Sequence, residues 1–194
     1  MTTLEADARD RADMEKLQAG HATALDDLME RHAPAVFGFL ARMLQNEDDA
    51  NDLAQETFVR VYRARDRFRP NLRFSTWLFT IAANLARNQI RWRTRHPNVS
   101  LHAELSPAEP ALADTLPASD PSPREQTVAE ERAAAVRAAV NDLPADLREA
   151  IVLCEWEEHS LNAAAALVGT TPKAIESRLY RARRQLREKL HRWL

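Results

Sequence analysis

The chain has 194 residues, 45% hydrophobic and 29% charged, with a net charge of −2, the balance of a soluble protein built as one large domain or two small ones. Three glycines (Gly20, Gly38 and Gly169) against ten prolines exclude a hairpin-rich β protein and a Gly-rich phosphate loop, and no apolar run approaches the ~18 residues of a membrane span. A lone cysteine, Cys154, excludes an intrachain disulfide and, with a polar, acidic N-terminus unlike a signal peptide, points to the cytoplasm.

The predicted elements follow one another as helices. Leu25, Leu28, Met29, His32, Val36, Phe39, Leu40, Met43 and Leu44 recur at three- and four-residue steps. A second helix follows the N-cap candidates Asp48 and Asp49 and turns Ala50, Leu53, Ala54, Phe58, Val61 and Tyr62 inward. A loop at 65–73, interrupted by Pro70, leads to a third helix that starts from a Ser75 cap and buries Trp77, Leu78, Ile81, Ala82 and Leu85. Residues 96–123 hold six of the ten prolines and no apolar period, the pattern of an extended tether. Beyond it, Ser122-Pro123-Arg124-Glu125 has the form of a capping box with Pro at N1 and opens a helix to about residue 140. Leu143-Pro144 starts another, with Leu147, Ile151 and Cys154 on one face. Residues 161–168 form a short Ala-rich helix, and Thr171 caps a last helix with Pro172 at N1 and a stripe of Ile175, Leu179, Ala182, Leu186 and Leu190. The expected fold is all-α: two small helical domains, 1–95 and 124–194, joined by a flexible Pro-rich linker at 96–123, each near the lower size limit for a core of its own.

Charge is segregated along this plan. Residues 1–57 carry a net −8 and residues 96–158 a net −9, whereas 58–95 carry ten arginines against Asp66 alone, and 159–194 a net +6. Two long basic blocks on predicted helices suit contact with a polyanion. In the second block, LNAAAALVGTTPKAIESRLYRARR (161–184) reads as helix, turn, helix. Ala165 is small enough for a helix crossing, Gly169 supplies the positive φ of a tight turn, and Ile175 points back into the crossing. The opposite face of the last helix then shows Lys173, Glu176, Ser177, Tyr180, Arg181 and Arg184, groups suited to base edges and phosphates. A plain helical hairpin with a basic solvent face is the alternative.

In the first basic block, the loop RDRFRPNLRF interleaves Phe68 and Phe74 with four arginines and Asn71. The third helix carries a second stripe of Thr80, Asn84, Arg87 and Arg91, with Asn88 beside it. Arginines, amides and aromatics in alternation suit unstacked, single-stranded bases; the alternative is that Phe68, Phe74 and Trp77 are core, which for Trp77 is the better reading. On the second helix, acids near the start favour the helix dipole, and Asp49, Asp52, Gln55 and Glu56 offer a surface for a basic protein partner.

DLAQETFVRVYRA (52–64), FSTWLFTIAANLARNQIR (74–91), LPADLREAIVL (143–153) and IESRLYRARRQL (175–186), in that order, resemble the extracytoplasmic-function sigma factors of bacterial RNA polymerase, over about residues 15–95 and 125–192. The resemblance implies that Asp52, Gln55 and Glu56 face the clamp coiled coil of the polymerase β′ subunit. It implies that the 66–74 loop and the helix after it capture the flipped −10 base, with Asn84 as the base reader beside Arg87 and Asn88. It places Glu176, Ser177, Tyr180 and Arg181 at −35 reading positions, the second domain at the β flap, and the tether towards the RNA exit path. It further implies an anti-sigma factor as inhibitor, a monomer when free, no cofactor, no metal and no membrane insertion.

Two departures stand out. Glu176 replaces the family's usual Lys or Arg, and can either accept a hydrogen bond from cytosine N4 or pair with a neighbouring arginine. Three alanines (Ala164, Ala165 and Ala166) stand where a Glu-Ile-Ala core is usual, which lowers buried apolar area. No catalytic constellation is evident: the histidines are scattered, Cys154 sits on an apolar face, and Asp48 with Asp49 reads as a cap. A helix-turn-helix regulator of duplex DNA and a nucleic-acid-processing enzyme are the competing classes. The first does not need the arginine-rich loop, and the second lacks a carboxylate cluster beside it.

Overall fold

The computed structural model describes residues 3–96 and 123–193. Regular structure among them is helical throughout: α1 (Thr3–Gln18), α2 (Ala24–Leu44), α3 (Glu47–Ala64), a 3-10 turn (Arg65–Arg67), α4 (Phe74–Arg95), α5 (Pro123–Asn141), α6 (Ala145–Ile151), α7 (Leu161–Val168) and α8 (Pro172–Lys189). The tether expected at 96–123 falls mostly at 97–122, outside the described residues, as does the Ser122 cap. α6 runs on into a π-helical turn, Val152–Trp156, so Cys154 stands half-buried and not fully inside the core.

Helix boundaries correct two expected caps. Asn46, not Asp48 or Asp49, caps α3, its Oδ1 accepting from the Asp49 N–H at 2.8 Å. Glu47, Asp48 and Asp49 fill the first turn, where their charge complements the helix dipole. α4 begins one residue before the expected Ser75 cap, with Arg73 at its N-cap and no side-chain bond there. The sequence pattern gives no sign of α1. It forms because Met14 and Leu17 bury fully and because Asp10 and Asp13, also buried, meet Arg31 and His32 of α2.

α1–α4 enclose Leu28, Phe39, Met43, Phe58, Phe74 and Leu78, and α5–α8 enclose Leu147, Leu153, Leu167, Ile175 and Leu179. The two groups pack directly on each other, and their apolar residues form one continuous cluster. At the seam, Arg87 of α4 donates to Glu149 of α6 (Nη1 to Oε1, 3.0 Å), and Arg42 of α2 pairs with Glu157 at 3.4 Å while lying over the Trp156 ring at 5.6 Å. Phe79 and His159 meet edge to face at 5.0 Å. Arg148 caps the carbonyl end of α2 through Met43 O (2.8 Å) and holds the α5–α6 turn through the Leu143 carbonyl. Gly38 leaves room for this seam: a Cβ there would lie 2.8 Å from Arg42 Nη1.

Candidate nucleic-acid interface

The helix-turn-helix forms as its punctuation suggests. Ser160 Oγ accepts from the Ala163 N–H at 3.2 Å to open α7, and Gly169 closes it in the left-handed conformation, φ 73°. Thr171 Oγ1 accepts from the Ala174 N–H at 3.2 Å, and Pro172 begins α8. Ala165 and Ile175 are both buried at the crossing. The other face of α8 presents Lys173, Glu176, Ser177, Tyr180, Arg181 and Arg184 to solvent, with Tyr180 68% exposed. Arg184 pairs with Glu188 at 3.3 Å, but among the described residues no ion pair engages Glu176, so its carboxylate keeps its acceptor capacity. Lys173, Glu176 and Tyr180 line a groove against Cys154 and Glu155. Burial, with Glu155 nearby, pushes the Cys154 thiol up, which disfavours a thiolate nucleophile.

α4 has no acidic residue along its length, and its outward stripe holds Asn84, Asn88 and Arg91 in the open. Arg87 and Arg91 each reach back three residues, to the Asn84 and Asn88 Oδ1 atoms respectively, so each asparagine's oxygen already accepts from an arginine. Thr80 is half-buried and donates to the Thr76 carbonyl at 2.8 Å. Arg87 does not stand open with the others. Its second arm is held by Glu149, whose side chain is 4% exposed, and burial pushes that carboxyl up while Arg87 pulls it down.

The loop corrects a second expectation. Phe68 and Phe74 are 5% and 2% exposed. They pack edge to face at 6.1 Å, Trp77 lies 5.3 Å from Phe68, and His32 sits 5.2 Å from Phe74. These rings support the loop from below and offer no face to a base. What the loop shows to solvent is Arg67, Arg69, Asn71, Leu72 and Arg73.

On α3, Asp52 and Gln55 are exposed, Glu56 pairs with Arg60 at 2.8 Å, and exposed Val59 adds an apolar neighbour one turn on. Asp49 departs from this surface. Its Oδ2 accepts from Gln89 Nε2 at 2.8 Å and pairs with Arg93, so it ties α3 to α4. Two contacts have no sequence signal. Gln18 Nε2 donates to the carbonyls of Arg65 (2.8 Å) and Phe68 (3.2 Å), and Asp7 pairs with Arg73 at 3.0 Å. Among the described residues no helix is long and apolar enough to cross a membrane, and no group of three or more His, Cys, Asp or Glu could hold a metal ion.

The family model for Sigma-70 region 2 matches residues 28–96, and that for Sigma-70 region 4 matches 133–186. RNA polymerase sigma factor CarQ of Myxococcus xanthus is 41% identical over 179 residues, 91% of this chain and 95% of that protein. The ECF RNA polymerase sigma-E factor of Haemophilus influenzae is 32% identical over 182 residues, 93% of this chain and 95% of that one. Among solved structures, the sigma factor RpoE of Bartonella quintana, in complex with the anti-sigma factor NepR, matches 87% of this chain and 98% of its own with a TM-score of 0.65 and 30% identity. Two region matches in order and full-length relatives at this identity agree with the helix-turn-helix and the arginine-lined helix, and the chain belongs to the extracytoplasmic-function sigma factors of RNA polymerase.

Proposed function

We propose that the chain is a dissociable initiation subunit: it binds core RNA polymerase, directs it to promoters with −35 and −10 elements, and helps open the strands. Residues 1–95 serve core and −10 binding, 96–123 link, and 124–194 serve −35 binding. Asp52, Gln55 and Glu56 meet the clamp coiled coil of β′, and the second domain meets the β flap. Asn71, Asn84, Asn88 and Arg91 take the unpaired −10 strand through amide donors and guanidinium groups. Lys173, Glu176, Ser177, Tyr180, Arg181 and Arg184 enter the −35 major groove. The chain works in the cytoplasm and supplies address and melting, while bond-making belongs to the polymerase.

The observation that carries this reading is the pair of basic faces on α4 and α8, one rich in amides and one on the second helix of a capped helix-turn-helix. The −35 and −10 elements centre about 25 base pairs apart, about 85 Å of B-DNA. For both elements to be read on one duplex, the units joined at Arg87–Glu149 would part. Separation frees Arg87 for phosphate. An anti-sigma factor, as in the complex of the Bartonella relative, holds the protein away from polymerase.

The test is run-off transcription with core polymerase on a genomic fragment library, with starts mapped by sequencing. New starts sharing two upstream motifs are expected. No new starts together with no co-elution with core would favour a stand-alone regulator of duplex DNA.

A further inference from the structure

α1 precedes the residues matched by the region 2 family model, yet it grips both ends of the loop that faces the −10 strand in the reading above, on which this inference rests. Gln18, the last residue of α1, gives both amide hydrogens to the loop's entry: one to the Arg65 carbonyl at 2.8 Å, one to the Phe68 carbonyl at 3.2 Å. Asp7, near the other end of α1, pairs with Arg73 at the loop's exit, 3.0 Å from its Nε. Between these two holds the loop has two turn bonds of its own, Phe68 N–H to the Arg65 carbonyl and Leu72 N–H to the Arg69 carbonyl at 3.0 Å each, with Phe68 as its buried anchor and 69–73 exposed. α1 is itself fixed. Arg31 bonds Asp10 at 3.1 Å and Asp13 at 2.6 Å, His32 meets Asp10 at 2.8 Å, and Met14 and Leu17 are fully buried.

A loop that must receive an unstacked nucleotide loses affinity for every conformation it samples besides the competent one. We propose that α1 is a brace that holds the 65–73 loop in its nucleotide-receiving shape, with Gln18 as the positioning residue and Asp7 as its counterpart at the exit. Gln18 touches no nucleotide. It acts through the Arg65 and Phe68 carbonyls, which set where Arg69 and Asn71 emerge.

The test uses full-length chain assembled with core polymerase and a promoter recovered by start-site mapping. Gln18→Met keeps the side chain's length and removes its donors. Gln18→Glu keeps the shape and sets a carboxylate against two carbonyls. Asp7→Asn releases the exit and serves if the Gln18 variants fold poorly. The readouts are affinity for a single-stranded −10 oligonucleotide, 2-aminopurine fluorescence at the captured base during opening, affinity for core, and affinity for the −35 duplex. Oligonucleotide affinity and the opening rate should each fall about tenfold for Gln18→Met and further for Gln18→Glu, with core and −35 affinities within about twofold of wild type. Wild-type oligonucleotide affinity in all three variants would overturn the proposal. A parallel fall in all affinities would also overturn it, by making Gln18 a general support of the fold. A wild-type chain that directs no starts would instead overturn the functional reading itself.

Discussion

Changing Glu149 to Gln tests how strongly the two helical units hold each other. The replacement keeps the side chain's shape and removes its charge. In the native arrangement Glu149 is 4% exposed and accepts from Arg87 Nη1 at 3.0 Å. A hydrogen bond to a charged partner contributes about 1.5–3 kcal/mol. Arg87 is 28% exposed and recovers some hydration when the carboxylate is lost, which brings the expected coupling of the pair to about 1–2 kcal/mol, while relief of the buried charge offsets part of the net cost of Glu149→Gln. That coupling corresponds to a factor of about 5–30 in an equilibrium constant. The assay is a double-mutant cycle with Arg87→Gln, read by denaturant unfolding and accompanied by small-angle scattering. A coupling of about 1–2 kcal/mol is expected, with a larger average dimension for Arg87→Gln, which leaves the buried Glu149 carboxylate unpaired. Effects that add to within about 0.3–0.5 kcal/mol, the range of independent sites, would refute the idea that this pair ties the units.

Three further outcomes follow from the geometry. Burial pushes the Glu157 carboxyl from 4.5 up to about 7 against the pull of Arg42, so the native state binds more protons than an exposed glutamate across that window. Stability should therefore fall as pH rises from about 4.5 to 7, by up to about 1.4 kcal/mol per pH unit from this group, and Glu157→Gln should flatten the slope. Unfolding of wild type and variant side by side isolates the effect from His159, whose depressed pKa works in the opposite direction. Asn84→Ala should slow open-complex formation while core binding stays intact in a co-elution assay; lost core binding would remove Asn84 from base reading. Glu176→Lys should change the preferred −35 sequence in a selection from randomised duplexes, and an unchanged preference would show that Glu176 reads no base.

The local grammar of this chain was legible because each signal acts within a few residues. Gly169, Thr171 and Pro172 stand at the turn they announce, and Ile175 and Leu179 fall on the buried face of α8. Long-range polar pairing was not legible. Asp49 looked like part of an acidic surface and instead serves Gln89 and Arg93, some forty residues on. Arg87 lay on the right stripe, but its partner Glu149 comes 62 residues later, from a helix chosen for its apolar face. α1 had no apolar stripe of its own to mark it, because acids and bases alternate around it and its hold on α2 is partly ionic, beside buried Met14 and Leu17. Phe68 and Phe74 fit two roles equally by sequence, and only packing around Trp77 and His32 separates them.

Gly38 sits inside α2, where alanine would be the better helix former by about 1 kcal/mol. The cost of glycine there is local, and its benefit is remote. An added methyl would lie 2.8 Å from the Arg42 guanidinium, so that flexible side chain, which also pairs with Glu157 115 positions further along the chain, would have to shift. The same arginine that lies over this small residue thus also carries one of the contacts between the two units. A change at this position can make the helix sturdier in isolation and the assembled protein looser at the same time.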